Sequence, residues 1–558
     1  MDKLLNIFGY LSVLLRAATL CFQTLTIGGI IFIIAVTRAP QLRTDAVVNH
    51  CRKWIVGFSL TLAATQVFYV LANTLILMQS ADMPFRDAVG ANFVYAGALA
   101  AAAALVVAAV CSFGKWRGNS ALLIPAMLIL ASALMTSHSV ARMQHRVLLT
   151  FLTGLHQLAT AAWIGGLPYL LISLKRESDP QVRQRITANF SQLALISVAL
   201  LFAGGFGLSL AYVGSWSALY GTTYGAMVSA KIILFGFLLV LGALNYFIVR
   251  NANSNAPTVN ASIAANSKIG SASLLRFGEV EIGIGLTVIL AAASLTSQPP
   301  AIDLGSDKVS ATEIFQRYAP RIPRLKSPPH SALSEPTEQI AKREAARGIT
   351  VPVSFVPGQA AANSAGPGDI AWSEYNHNWA GVIVLGVGLL SFLARTGHFP
   401  WAKHWPLMFL GLAVFLFLRS DPENWPLGPN GFWESFSSPD VLQHRVIVLL
   451  VTAFAIFEWS VVTGRVKSPA AGLVFPGVCA LGGAILLTHS HALGNVKDEL
   501  LIELSHIPLA ILGIAAGWSR WLELRLPPEE DRARRVLSWI WPVCFILVGL
   551  VLLNYHEA

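Results

Sequence analysis

Fourteen apolar runs of bilayer-crossing length recur along the chain, at roughly 10–36, 54–78, 90–112, 119–137, 148–174, 190–213, 224–249, 274–296, 376–395, 402–419, 441–462, 470–488, 500–521 and 536–554. Hydrocarbon offers the backbone no water to bond, so each run must satisfy its own polar groups as a helix of about 20 residues. Composition agrees: 12% of the residues are charged, roughly half the share in an ordinary soluble domain. The expectation is an all-α polytopic membrane protein with about fourteen transmembrane helices in two bundles. The first run follows a short polar start without a small-residue cleavage site, so it reads as an anchor helix and not as a removable signal peptide.

Charge between the runs sets the orientation. Arg38, Arg43, Arg52 and Lys53, then Lys115 and Arg117, then Lys175, Arg176, Arg183 and Arg185 fall in loops that alternate with nearly neutral ones such as 214–223. In the second half Arg395 and Lys403, Arg465 and Lys467, and Arg525 with Arg532, Arg534 and Arg535 alternate with loops holding Asp421, Glu423, Glu434 and Asp440. The positive-inside rule then places both termini on the periplasmic side. The excess of 39 basic over 29 acidic residues is flanking charge at the bilayer and gives no reason to invoke nucleic acid.

A Pro-, Ser- and Ala-rich stretch separates the eighth run from the ninth, with RIPRLKSPPHSALSEP, GQAAANSAGPG and one polar piece able to form a helix, EPTEQIAKREAARG. Its composition speaks against a packed enzyme domain. The chain thus divides into an eight-helix module at 1–298, a periplasmic linker at 299–375 and a six-helix module at 376–558. Cys21, Cys51, Cys111, Cys479 and Cys544 form no CxxC or CxxCH, so neither a disulfide framework nor a c-type haem is indicated.

The histidines are unevenly placed. On this topology His138, His145, His156, His330, His377, His444, His489, His491, His506 and His556 lie on the outer side or in the outer part of a helix, and only His50, His398 and His404 lie inside. Two segments repeat one arrangement. LMTSHSVARMQHRVLLTFLTGLHQLATAAWIGGL ends a helix at His138 and sets His156 into the next; LLTHSHALGNVKDELLIELSHIPLAILGIAAGW ends one at His489 and His491 and sets His506 into the next. Imidazole suits copper, and the thioethers of Met83, Met135 and Met143 would favour the cuprous ion. His138, His156, His489, His491 and His506 are therefore the candidate metal ligands, with a purely structural polar network as the alternative.

Other polar groups accompany them. Glu499, Glu503 and His506 follow i, i+4, i+7 spacing and share a helical stripe, where a carboxylate can orient an imidazole or relay a proton. His156 and Trp163 stand two turns apart, above Gly165 and Gly166, which let a neighbouring helix approach. His444 and Glu458 would be about 20 Å apart along one axis and cannot share an ion. Lys231, Asn245, Arg276, Glu279 and Glu281 lie inside apolar runs, where they serve either interhelical pairing or a translocation or proton path. A haem b held between two of His156, His377, His444 and His506 is the competing cofactor.

The first module resembles the copper resistance D (CopD) family of bacterial inner-membrane proteins. The motifs that carry the likeness are HQLATAAWIGGLPYLL (156–171), NFSQLALISVALLFAGGFG (189–207), LYGTTYGAMVSAKIILFGFLLVLGALNYFIV (219–249) and LLRFGEVEIGIGLTVILAAASLTSQPP (274–300). They set His156, Trp163, Gly165, Gly166, Leu167, Phe190, Ser191, Tyr224, Gly225, Lys231, Asn245, Arg276 and Glu281 in the family's order. One departure is that the asparagine, commonly followed by arginine, is followed here by Tyr246, with Arg250 further on. The resemblance implies copper uptake or copper handling at the bacterial inner membrane, beside a periplasmic copper-binding partner. The second module has a weaker likeness to helical regions fused to such proteins and to factors that assist copper insertion into cytochrome oxidase, which adds a respiratory oxidase assembly partner as a further reading. No GxxxxGK[ST] loop or sizeable cytoplasmic domain is present, so the expectation is a non-enzyme that moves copper without hydrolysing ATP, the ion entering through His138 and His156.

Overall fold

The computed structural model describes residues 2–80, 83–113, 119–254, 261–296, 298–304, 308–333, 366–436, 439–488 and 496–557. His489, His491 and the polar piece at 335–348 lie outside the described residues.

Every regular element among the described residues is helical. The first unit, built mainly from Ile7–Lys308, contains α1 (Asp2–Ile31), α2 (Asp45–Ser80), α3 (Phe85–Val89), α4 (Asn92–Phe113), α5 (Leu123–Met135), α6 (His138–Ala141), α7 (Arg146–Thr160), α8 (Leu167–Arg176), α9 (Pro180–Tyr212), α10 (Trp216–Gly221), α11 (Thr223–Ser254) and α12 (Ala261–Leu295). The second, built mainly from Val309–Leu487 with His491–Ala558, contains α13 (Ala311–Tyr318), α14 (Pro367–Thr396), α15 (Met408–Arg419), α16 (Phe432–Ser435), α17 (Pro439–Val462), α18 (Val474–Leu486), α19 (Val496–Arg525) and α20 (Asp531–Leu553).

Twelve helical segments among the described residues are long and apolar enough to cross a membrane. The other two of the fourteen runs are shorter. α5 and α18 have 13 residues each, about 20 Å at 1.5 Å per residue. Each is led in by a 3₁₀ turn, Asn119–Leu122 and Ala471–Leu473, whose steeper rise of about 2 Å per residue brings the pair close to a hydrocarbon core of about 30 Å. The fold is all-α and polytopic, as the apolar runs require.

In the first unit α2 packs on α4, α4 on α5, α7 on α9, and α11 on α12. Local chemistry starts these helices where the chain needs them: Asp179 caps α9 by accepting from the Gln181 amide at 2.8 Å, with Pro180 at the first helical position. Outward-facing Phe202, Phe206, Leu210, Ile232, Val240 and Phe247 are exposed, the surface expected of helices whose solvent is lipid.

The second unit encloses an aromatic core of Trp405, Phe409, Phe475 and Trp541 with Val387, Ala455, Ala516 and Cys544. α14 and α20 form its closest pair: a Cβ on Gly381 would stand 2.6 Å from the Leu553 amide nitrogen, and one on Gly549 2.5 Å from that of Leu385. Part of the Pro-rich stretch is seated on this unit. α13 opens with a capping box, Ser310 accepting from the Glu313 amide at 3.2 Å and Glu313 from the Ser310 amide at 2.7 Å. The extended chain after it donates the Arg324 amide to Asn378 at 2.6 Å and the Arg321 amide to Asn554 at 3.0 Å, and accepts from the Trp379 indole at the Leu325 carbonyl. Backbone partners of this kind leave little trace in composition.

Candidate functional sites

Three of the residues that carried the family likeness, Trp163, Asn245 and Glu281, meet in the first unit beside a break in a helix. α7 runs on into a π-helical turn, Ala161–Gly165, before α8 begins. The extra residue of a π-turn shifts the side-chain register, a feature frequent at functional sites. Its cause is visible in α1: a Cβ on Gly165 would lie 2.1 Å from the Thr24 carbonyl oxygen, and one on Gly28 2.4 Å from that of Ala161. Two glycines let backbone meet backbone there, and the ladder of α7 widens to fit.

Trp163, in that turn, is buried and meets Phe235 of α11 edge-on with ring centroids 6.2 Å apart. Its indole also hydrogen-bonds Glu281 of α12. Asn245 of α11 donates to the same carboxylate at 2.6 Å. Glu281 is 2% exposed, and among the described residues no basic group pairs with it. Arg276, the nearest motif arginine in sequence, donates instead to Glu279 at 2.6 Å. The Asn245 side-chain oxygen is buried without a partner. A carboxylate sunk among helices with only neutral donors is a place for a cation, since an unpaired buried charge is costly.

His156 stands about 10 Å from Trp163 along α7. It lies against α9, where a Cβ on Gly204 would approach the His156 Cβ, and one on Gly205 the ring at Cε1, each to 3.5 Å. The ring bonds toward the backbone at Leu201, and Lys231 acts on it electrostatically. Nδ1 is buried and unpartnered, so it presents an unused nitrogen. His138 is set apart on α6, with Arg16, Arg142 and Asp303 as its charged neighbours and the Thr296 backbone as a bonding partner; its Nε2 is likewise buried and unpartnered. Burial is the largest influence on His138 and holds its pKa below the usual 6.5. The two histidines thus have different surroundings. Among the described residues, no three His, Cys, Asp or Glu side chains cluster as a metal set. Met135 and Met143 are exposed.

Sequence reading passed over a polar face on α1. Arg16, Thr19 and Gln23 follow i, i+3, i+7 spacing; Arg16 donates to Thr136 at 2.9 Å, Gln66 to Thr19 at 2.8 Å and Gln23 to Gln157 at 3.2 Å. They line a cavity of about 20 Å³, room for one water. The spacing within an otherwise apolar run was the available signal.

In the second unit the structure brings His377 and His506 together, with ring centroids 6.2 Å apart. Nδ1 of His377 bonds the Ser373 carbonyl at 2.8 Å and Nδ1 of His506 that of Ile502 at 2.9 Å. A ring nitrogen facing a carbonyl oxygen must carry the proton, so each bond fixes the tautomer with the hydrogen on Nδ1. Tyr555 stacks on His377 at 3.9 Å and meets His506 at 6.2 Å. Glu503 is buried one turn before His506; the side chain of Glu499 lies outside the described residues. His444 pairs with Asp421 at 2.7 Å, and Glu458 is buried on the same helix. Tyr555 was not singled out from sequence. Its signal was the polar tail NYHEA closing the last apolar run.

These helices and the polar groups enclosed among them define an all-α polytopic membrane protein. Residues 184–295 match the family model described as copper resistance protein D, CopD. The match takes in Phe190, Ser191, Tyr224, Gly225, Lys231, Asn245, Arg276 and Glu281, so the family likeness read from the motifs holds over this segment. The chain is 28% identical over 191 residues to the copper transport protein CutJ of Bacillus subtilis (strain 168), a stretch covering 34% of this chain and 31% of that relative. It therefore spans less than a third of the relative's length. No solved structure matches.

Proposed function

We propose that the chain moves copper ions across the bacterial inner membrane, serving copper uptake or resistance, without hydrolysing ATP. The observation that carries this reading is the convergence of Trp163, Asn245 and Glu281, on three elements of the family-matching region or its flank, at a buried carboxylate without a basic partner among the described residues, about two helical turns from the nitrogen of His156 that is unpartnered among those residues.

Copper is the cargo. A cuprous ion takes imidazole nitrogen readily, whereas the oxygens of Glu281 and Asn245 are hard donors better matched to a proton or another hard cation. His138 and His156 receive the ion in this reading and Glu281 carries the coupling charge. Lys231 beside His156 keeps that stop weak, as conduction demands, because a site that holds its ion tightly does not release it. His377 and His506, each with Nδ1 tied to a backbone carbonyl, form a second copper-binding pair. A periplasmic copper-binding protein supplies the ion, and a respiratory oxidase assembly factor is the partner that would receive copper from the second unit.

Haem b between His377 and His506 fits poorly. A porphyrin needs an open slot between facing imidazoles, and the Tyr555 ring lies flat against His377.

Cellular copper accumulation tests the proposal. At equal protein level His138→Ala and His156→Ala are each expected to lower uptake about tenfold, the usual cost of losing a metal contact or its support. Unchanged accumulation in both would sink it. A reduced-minus-oxidised spectrum of the purified protein with a b-type Soret band would favour the haem reading instead.

A further inference from the structure

At the end of α20 the second unit holds a cavity of about 190 Å³ whose lining includes Arg317, Leu547, Leu550, Tyr555 and His556. Arg317 is 7% exposed, yet neither Nη1 nor Nη2 has a hydrogen-bond partner among the described residues. Its guanidinium lies over the face of Tyr555, 5.8 Å to the centroid. The neighbouring carboxylates are engaged elsewhere: Glu374 pairs with Arg324 at 3.0 Å, and Glu557 accepts from Tyr555 Oη at 2.8 Å and from Ser373 Oγ. Among the described residues no carboxylate reaches ion-pair distance of Arg317. A guanidinium buried with two idle nitrogens is expensive, and its planar fork suits a phosphate.

The cavity is polar at one side only. Leu547 and Leu550 belong to an exposed stripe on α20, Ile540, Val543, Leu547 and Leu550, spaced i, i+3, i+7, i+10 along a membrane-crossing helix. An ion alone would leave this apolar approach unused. His556 supplies a second recognition element: Nδ1 bonds the Asn554 carbonyl at 3.1 Å, while Nε2 is buried and unpartnered. In the neutral ring that Nε2 is an acceptor, and it calls for a hydroxyl donor rather than another anionic oxygen.

We propose that this cavity seats an anionic phospholipid whose head group carries a free hydroxyl, its phosphate on Arg317, its hydroxyl on His556 and an acyl chain along the Ile540–Leu550 stripe. The lipid then ties the segment that holds α13 to the bundle end bearing His377 and His506. This inference stands apart from copper transport, since its readout is lipid binding.

The test titrates the delipidated full chain in detergent with phosphatidylglycerol, phosphatidic acid, phosphatidylcholine and inorganic phosphate, reading bound lipid by native mass spectrometry and thermal protection in parallel. Phosphatidylglycerol is expected to bind the wild type about tenfold or more tightly than phosphatidylcholine, consistent with charge-assisted bonds to one guanidinium. Arg317→Gln should erase that preference, with Arg317→Lys restoring part of it and Arg321→Gln, an exposed neighbour, leaving it unchanged. His556→Phe should bring phosphatidylglycerol down to the level of phosphatidic acid. Equal affinity of the wild type for phosphatidylglycerol and phosphatidylcholine overturns the proposal without any variant. So does an unchanged preference in Arg317→Gln, or protection by inorganic phosphate as strong as by the lipid.

Discussion

In the proposed role of copper ligand His138 must be a neutral imidazole, and its surroundings favour that form. Burial first, then Arg16 and Arg142, hold its pKa below 6.5, against the raising influence of the Thr296 backbone and Asp303. Copper accumulation is therefore expected to stay level from about pH 8 to about pH 6.5 and to fall only below, where an unperturbed imidazole would already be half protonated. The sign for stability follows from the same shift. As pH drops through 6.5 the unfolded chain takes up a proton at His138 before the folded one does, so acid lowers stability through this group. His138→Gln should remove this contribution from the pH dependence of thermal unfolding; an unchanged profile would show that burial of His138 plays no part. Glu281 gives a second contrast at this scale. Glu281→Gln keeps the hydrogen-bonding shape toward Asn245 but discards the charge, and a loss of uptake of about tenfold is expected. Glu279→Gln, which alters the Arg276 and Lys175 pairings, should cost far less. Glu281 and Asn245 were legible in the sequence as polar residues inside apolar runs. Their mutual hydrogen bond was not, because 36 residues separate them and helical periodicity says nothing about which faces meet.

At the scale of elements, the π-turn at Ala161–Gly165 is where sequence and structure part most instructively. The motif WIGG told of a close helix approach, and the structure finds the partner in α1, at Thr24 and Gly28. The widened turn itself had no signature, since it arises from the crowding of two backbones and not from the propensity of either. Gly165→Ala is accordingly expected to destabilise the protein by about 3 kcal/mol, the upper end of overpacking costs, because the obstacle is a carbonyl oxygen that no rotamer change can move. Gly57→Ala is the internal control: its Cβ meets nothing within 4 Å, and replacing a helical glycine with alanine should leave stability equal or raised by up to about 1 kcal/mol. Thermal unfolding of both variants in detergent makes the comparison. Equal midpoints would mean that α1 and the π-turn are not held at contact distance in solution.

For the whole molecule, the apolar runs made the all-α polytopic class legible at once, because each run had only one way to satisfy its backbone. The second unit's polar end was the harder part: Arg317, Tyr555 and His377 are drawn together from three distant stretches, and only their packing makes them a group. Orientation is the remaining global property, and it turns on parity. Twelve long helical segments give an even count of crossings. α5 and α18, extended by their 3₁₀ lead-ins, leave the count even if both cross or neither does, and reverse the second terminus if one alone crosses. The basic loops decide between these cases only if both cross: Lys115 and Arg117 precede α5, Arg465 and Lys467 precede α18, and both pairs must share a side with Arg395 and Arg525. Both termini are therefore expected in the periplasm. Alkaline phosphatase fused at the C-terminus should be active and a green fluorescent protein fusion there dark, with the opposite pattern for fusions in the loop at 463–470. A fluorescent C-terminal fusion would mean that one of the two short helices fails to cross, and would invert every loop beyond it.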